Sequence, residues 1–170
     1  MLKIINQLAP FFKDNYRRIA VREYARIINV TPPTSSKLLK GFQQEGLLKR
    51  EDDRQFIYYY PNKDSSLFID LARIYWKTLF EKACFIDYLE RECVSPVIIL
   101  FGSLSKAEAK LDSDIDIALF TSTQKKLDLS VFEKKFKREI QLFVFKRRDD
   151  VKNDGLLHNI LNGYKLKGNW

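Results

Sequence analysis

Residues 97–120 read VIILFGSLSKAEAKLDSDIDIALF, and no other stretch of the 170-residue chain restricts its fold as tightly. Residues 97–101 and 114–120 are short runs rich in β-branched and aromatic side chains, the pattern of strands in a sheet. The first leads directly into Gly102-Ser103 and a short helical turn. The second opens on Asp114-Ile115-Asp116. Side chains alternate along a strand, so Asp114 and Asp116 share one face while Ile115 and Ile117 point the other way, into the core. The pattern predicts two carboxylates converging at the rim of a sheet.

Adjacent carboxylates repel unless a cation offsets them, and hard oxygen donors two residues apart suit Mg²⁺, with Mn²⁺ as a substitute. Gly102 lets the backbone approach a phosphate closely, and Ser103 at the start of a turn offers N–H and hydroxyl donors to a triphosphate. Gly-Ser with Asp-x-Asp eleven positions after the serine resembles the DNA polymerase beta superfamily of nucleotidyltransferases, in particular its minimal nucleotidyltransferase branch. The resemblance covers residues 94–168. It continues through a basic helix at 132–138, an alternating strand at 139–145, a helix at 149–161 and a closing segment at 163–168. It implies a small mixed sheet with helices on one side. It also implies Mg²⁺-dependent transfer of a nucleoside monophosphate from an NTP to a hydroxyl on protein, nucleic acid or a small molecule. Asp114 and Asp116 are then the metal ligands, with Gly102, Ser103 and Lys106 on the nucleotide.

The sequence departs from that family at two places. A third carboxylate is expected on the strand after the intervening helix, and the position that best matches is Gln141, a poor base and a weak metal ligand. Glu139 shares its face and reads either as a shifted catalytic carboxylate or as a strand-start surface charge. In the Gly-Ser loop, Lys106 keeps a cation where family members often carry arginine, while Ala107 stands where they carry glycine. Lys106 is equally readable as a solvent-facing charge.

Ahead of this module, Ile4, Ile5, Leu8, Phe11 and Phe12 recur at helical spacing, and residues 21–28 form a second short amphipathic run. Thr31-Pro32-Pro33-Thr34 then supplies a capping hydroxyl and a proline suited to the first helical position. The helix runs from Ser35 to Gln44 and stops at Gly46. Leu47 to Arg50, a polar turn at Glu51–Arg54, and Gln55 to Tyr60 read as strand, turn and strand. Helix, helix, helix, hairpin over residues 1–62 resembles the winged helix-turn-helix family. The resemblance implies that Thr34, Ser35, Lys37 and Lys40 face a major groove of double-stranded DNA, with Lys49, Arg50, Arg54 and Gln55 on the wing. Winged helices also serve as protein-interaction modules.

Residues 63–93 lack glycine and proline and carry apolar positions over more than one stripe. They predict one long linking helix, with residues 65–92 available to a second subunit. The expected fold class is therefore α+β: a winged helix (1–62), a linking helix (63–93) and a small mixed-sheet nucleotidyltransferase domain (94–170). Charge follows this division. Residues 1–64 carry 12 Lys+Arg and 7 Asp+Glu, residues 65–93 carry 4 and 5, and residues 94–170 carry 14 and 10, so the total of +8 lies at the two ends.

Cys84 and Cys93 are too few for a disulfide framework, and His158 is the single histidine, which removes Ser/His/Asp and Cys/His triads. No apolar run of about 20 residues occurs. These features predict a cytoplasmic protein without a membrane partner. Two functions follow: a nucleotidyltransferase tethered to a DNA-binding domain, or a DNA-binding regulator or antitoxin-like protein. In the second, the transferase module is degenerate and only binds nucleotide or a protein partner such as a toxin.

Overall fold

The computed structural model describes residues 3–123 and 125–170. They divide into two compact units. One runs up to Ala72 and includes Ala107–Leu111, and the other comprises Arg73–Lys106 and the described residues of Asp112–Trp170.

The first unit contains helix α1 (Lys3–Lys13), strand β1 (Ile19–Ala20), helices α2 (Val21–Ile27) and α3 (Pro32–Gln44), strands β2 (Leu48–Asp53) and β3 (Phe56–Pro61), and the beginning of helix α4 (Ser66–Lys82). The apolar spacing of α1 buries Ile5, Leu8, Phe11 and Phe12. Phe11 packs against Tyr24 of α2, with ring centroids 5.7 Å apart. Tyr24 is fully buried, and its hydroxyl donates to Gln7 O at 2.8 Å, which satisfies its polar end within this core. Asn29 turns the chain between α2 and α3 at φ 54°, a conformation that asparagine tolerates better than most side chains. Thr31 caps α3 by accepting from Thr34 N, with Pro32 in the first helical turn. The antiparallel sheet has the order β1-β3-β2.

Two sequence expectations change here. The two-residue strand β1, which pairs Ile19 with Tyr59, has no periodicity long enough to read. The turn expected at Glu51–Arg54 is shorter: Glu51, Asp52 and Asp53 belong to β2, opposite Tyr58, Ile57 and Phe56, and the chain reverses at Arg54-Gln55 with Arg54 at φ 54°.

The second unit contains the rest of α4, helix α5 (Phe85–Glu92), strand β4 (Val97–Phe101), the four-residue helix α6 (Gly102–Ser105), strand β5 (Ile115–Phe120), helix α7 (Ser130–Phe136), strand β6 (Ile140–Phe145), helix α8 (Asp154–Leu161) and strand β7 (Tyr164–Lys167). The linking helix expected over residues 63–93 is two helices. Cys84 stands at φ 58° between them, and its N–H bonds Glu81 O rather than continuing the helical ladder. The break lets α5 turn so that Phe85, Ile86 and Leu89 are buried. Phe80, Phe85 and Phe136 then form one edge-on aromatic group. The helix expected at 149–161 is also shorter. A 3₁₀ turn at Arg148–Asp150 precedes it, and α8 starts where Asn153 accepts from Leu156 N.

The sheet has the order β6-β5-β4-β7, with β5 parallel to β6 and the other pairs antiparallel. Its register places Val97, Phe120 and Phe145 in one row, Ile99, Ala118 and Phe143 in the next, and Phe101, Asp116 and Gln141 in the third. The first two rows join Val151 and Ile160 in a buried apolar cluster. On the other face, Ile98, Leu100, Ile115, Ile117 and Leu119 are fully buried. Among the described residues, no helix is long and apolar enough to cross a membrane.

Candidate functional site

The third row of the sheet is where charge meets the apolar rows, and it gathers most of the residues singled out from the sequence. Asp116 lies between Phe101 and Gln141, while Asp114 stands just ahead of β5, near enough for its charge to act on Asp116. Gln141 Nε2 donates to Asp114 Oδ2 at 2.6 Å. Gly102 adopts φ 68°, and its Cα lies so close to Asp116 that an added Cβ would stand 2.9 Å from the Asp116 Cγ and nearer still to Oδ2. Glycine is required twice over, by conformation and by space. Gly102, Asp114, Asp116 and Gln141 therefore form one group, with Ser103 next in the α6 turn.

Burial, and after it the charge of Asp114, pushes the Asp116 carboxyl above its ordinary range. A carboxylate held partly out of water beside another gains from any nearby cation. Asp114 has a hydrogen-bond donor in Gln141, a neutral amide. Among the described residues, no group of three or more His, Cys, Asp or Glu side chains converges as a metal cluster.

Other expected members lie differently. Glu139 is exposed just ahead of β6; its carbonyl accepts from Ile115 N at 2.8 Å, fixing the parallel pairing. Lys106 directs its ammonium to Asn159 Oδ1 of α8 at 2.9 Å. Two residues that sequence reading missed hold the loop. Ser105 is buried, and its hydroxyl donates to Gly102 O at 2.9 Å. Arg73 Nε donates to Ser105 O at 2.8 Å. The Gly-x-x-Ser spacing hints at the first contact, since a serine hydroxyl can reach back three residues. Arg73 gives no local signal.

In the first unit, α3 exposes Thr34, Lys37 and Lys40. Thr34 Oγ1 lies 2.9 Å from Thr31 Oγ1 at the helix start. Pro33, Ser36, Lys37, Lys40, Gly41 and Gln44 line a shallow cleft along this helix. Ser35, expected beside them, corrects the sequence reading: it is fully buried, and its hydroxyl donates to Val21 O at 2.7 Å, tying α3 to α2. On the hairpin, Lys49 pairs with Asp64 at 2.6 Å and Arg50 with Asp52 at 2.7 Å. Arg54 and Gln55 remain exposed at the tip.

A mixed sheet with Asp114 and Asp116 at its rim beside a tight Gly-Ser turn defines an α+β domain with an acidic, glycine-lined edge. Residues 85–166 match the family model described as polymerase beta, nucleotidyltransferase. Over that segment the chain is similar to this family, and the match supports a nucleotidyltransferase domain there. Comparison with curated proteins and with solved structures returns no match.

Proposed function

We propose that the second unit is a nucleotidyltransferase that moves a nucleoside monophosphate from an NTP to a hydroxyl acceptor, and that the first unit is a winged helix-turn-helix that carries it to DNA. The observation that supports the transferase reading best is the seating of Gly102 against Asp116 in a domain matching the nucleotidyltransferase model. A loop that must be glycine where it meets a carboxylate lets that carboxylate sit directly against the turn, so a cation on the carboxylate could bridge to a phosphate received by the same turn.

The donor set fits Mg²⁺ or Mn²⁺: two hard carboxylates, Asp116 on β5 and Asp114 immediately ahead of it, would hold the ion. When bound, such an ion would neutralise charge developing on the transferred phosphoryl group. This chain's own contributions are separate. Gly102 and Ser103 would receive the phosphates, Ser105 and Arg73 hold that loop, and Gln141 orients Asp114.

For the first unit, the order α1-β1-α2-α3-β2-β3, with the sheet arranged β1-β3-β2, supports the winged helix. Lys37 and Lys40 on α3 are its best phosphate or base contacts, with Arg54 and Gln55 at the wing tip. The ion pairs of Lys49 and Arg50 make the body of the wing a weaker contact than the sequence implied. Leu67 and Ile74 are exposed on α4, which supports self-association through residues 65–92. Together these readings describe a DNA-associated enzyme of the cytoplasm.

One observation favours a second reading. The neutral amide of Gln141 stands in register with Asp116 where family resemblance calls for a carboxylate, which suits a regulator or antitoxin-like protein that binds nucleotide or a protein partner without turnover. Incubation with α-labelled NTPs and Mg²⁺ or Mn²⁺ separates the two. Label transferred to protein, DNA or RNA and lost in Asp116→Asn supports the transferase. Metal-dependent nucleotide binding without transfer supports the regulator, and no nucleotide binding at all removes the transferase and leaves the regulator only a protein partner.

A further inference from the structure

We propose that Gln141 makes the carboxylate pair a site for a single divalent cation, by holding Asp114 where a third carboxylate would otherwise help admit a second ion. The inference rests on the nucleotidyltransferase reading and concerns how that same site is loaded.

It starts from register. Asp116 and Gln141 are directly paired on parallel strands, so residue 141 stands beside the carboxylate pair and on its face of the sheet. From there its Nε2 reaches Asp114 Oδ2 at 2.6 Å. An amide N–H₂ carries partial positive charge and offers donors only. Directed at Asp114, it occupies one of that carboxylate's oxygens and keeps a cation from approaching along the same side. The oxygens left for a metal are those of Asp116 and the other oxygen of Asp114.

The supply of protein donors leads to the same count. Nucleotide phosphates bring negative charge of their own, so it is oxygens rather than charge that set the number: a second ion held beside the first needs further donors from the protein. Among the described residues no third His, Cys, Asp or Glu side chain converges on the pair. Glu139 lies one pleat before Gln141, exposed and outside the paired strand. Gln141 is thus a positioning residue: it fixes Asp114 by a hydrogen bond, leaves the site one ion, and cannot itself accept a proton from an acceptor hydroxyl.

The test counts ions rather than turnover. The full chain is titrated with Mn²⁺ in the presence of a non-hydrolysable α,β-methylene NTP analogue, free Mn²⁺ is followed by its electron paramagnetic resonance signal, and the uptake of the same analogue without protein is subtracted. The expected uptake is about one ion per wild-type chain and about two in Gln141→Glu, which restores a carboxylate at that place. Gln141→Leu should keep one ion at an affinity roughly tenfold weaker, because Asp114 loses the partner that orients it. Glu139→Gln should match wild type in number and affinity. Two ions in the wild type, lost in Asp116→Asn, would overturn this inference and leave the nucleotidyltransferase reading standing. A folded Gln141→Glu that still takes up one ion would overturn it too. No Asp116-dependent uptake in any variant would overturn both. If circular dichroism shows Gln141→Glu unfolded, the wild-type count and the Gln141→Leu affinity decide the matter.

Discussion

Replacing Gly102 with alanine should damage the site in two measurable portions. The first is conformational: at φ 68° a side chain with a Cβ costs about 1 kcal/mol relative to glycine. The second is steric. The new Cβ would lie 2.9 Å from the Asp116 Cγ and closer to its Oδ2, a separation that folded proteins essentially never show. Asp116 has to rotate away from a preferred side-chain geometry, at about 1 kcal/mol. Together the change should destabilise the second unit by about 2 kcal/mol in urea unfolding and abolish Mn²⁺-dependent nucleotide binding. The portions separate in a double-mutant cycle with Asp116→Ala. Without the carboxylate only the tight 3.2 Å approach to the Cβ of residue 116 remains, so Gly102→Ala should then cost little more than about 1 kcal/mol, and the two sites should couple by up to about the same amount. An unchanged cost in the Asp116→Ala background would refute the steric argument. A Gly102→Ala protein that binds nucleotide as well as wild type would refute the placing of phosphate at this turn.

Other outcomes follow from single contacts. Ser35→Ala leaves the Val21 carbonyl without its partner and should lower stability by about 1 kcal/mol. Lys37→Ala and Lys40→Ala should leave stability unchanged while each reduces the slope of log affinity for duplex DNA against log salt by about one. A salt slope lowered by Ser35→Ala but not by the lysine changes would reverse these assignments. Cys84→Gly should raise stability by about 0.5 kcal/mol and Cys84→Val should lower it by about 1 kcal/mol, since the break between α4 and α5 needs φ 58°. Burial pushes the Tyr75 hydroxyl up to about 12, against a smaller opposing pull from Arg138. Between the ordinary tyrosine range near 10 and this value the folded chain keeps a proton that the unfolded chain loses, so stability should fall as pH rises through that window. Tyr75→Phe should flatten the slope, as urea midpoints at successive pH values would show.

Strand and cap chemistry were legible in the sequence because their causes are local. Alternation aims Asp114 and Asp116 together, and Thr31 followed by Pro32 starts a helix wherever it stands. What could not be read depends on partners remote in the chain. Nothing near Lys49 announces Asp64 as its ion partner. Ser35 looks like any helix-face hydroxyl until α2 brings the Val21 carbonyl to it. The linking segment reads as one helix because Cys84 is neither glycine nor proline, and the packing of Phe80, Phe85 and Phe136 favours a break at that residue. The role of Gln141 lay between. Its position on a strand could be read, but its bond to Asp114 needs the parallel register that the chain reaches only after α7.

That register also limits how the site can change. Sliding β5 by one residue against its neighbours would bring an isoleucine to the rim, mismatch the packing on both of its buried faces and turn Asp114 and Asp116 toward the apolar interior. The aim of the two carboxylates is therefore enforced by side chains that never touch a ligand. Substitution in this domain can exchange the groups on the rim one at a time, but it cannot turn the pair away without dissolving the sheet.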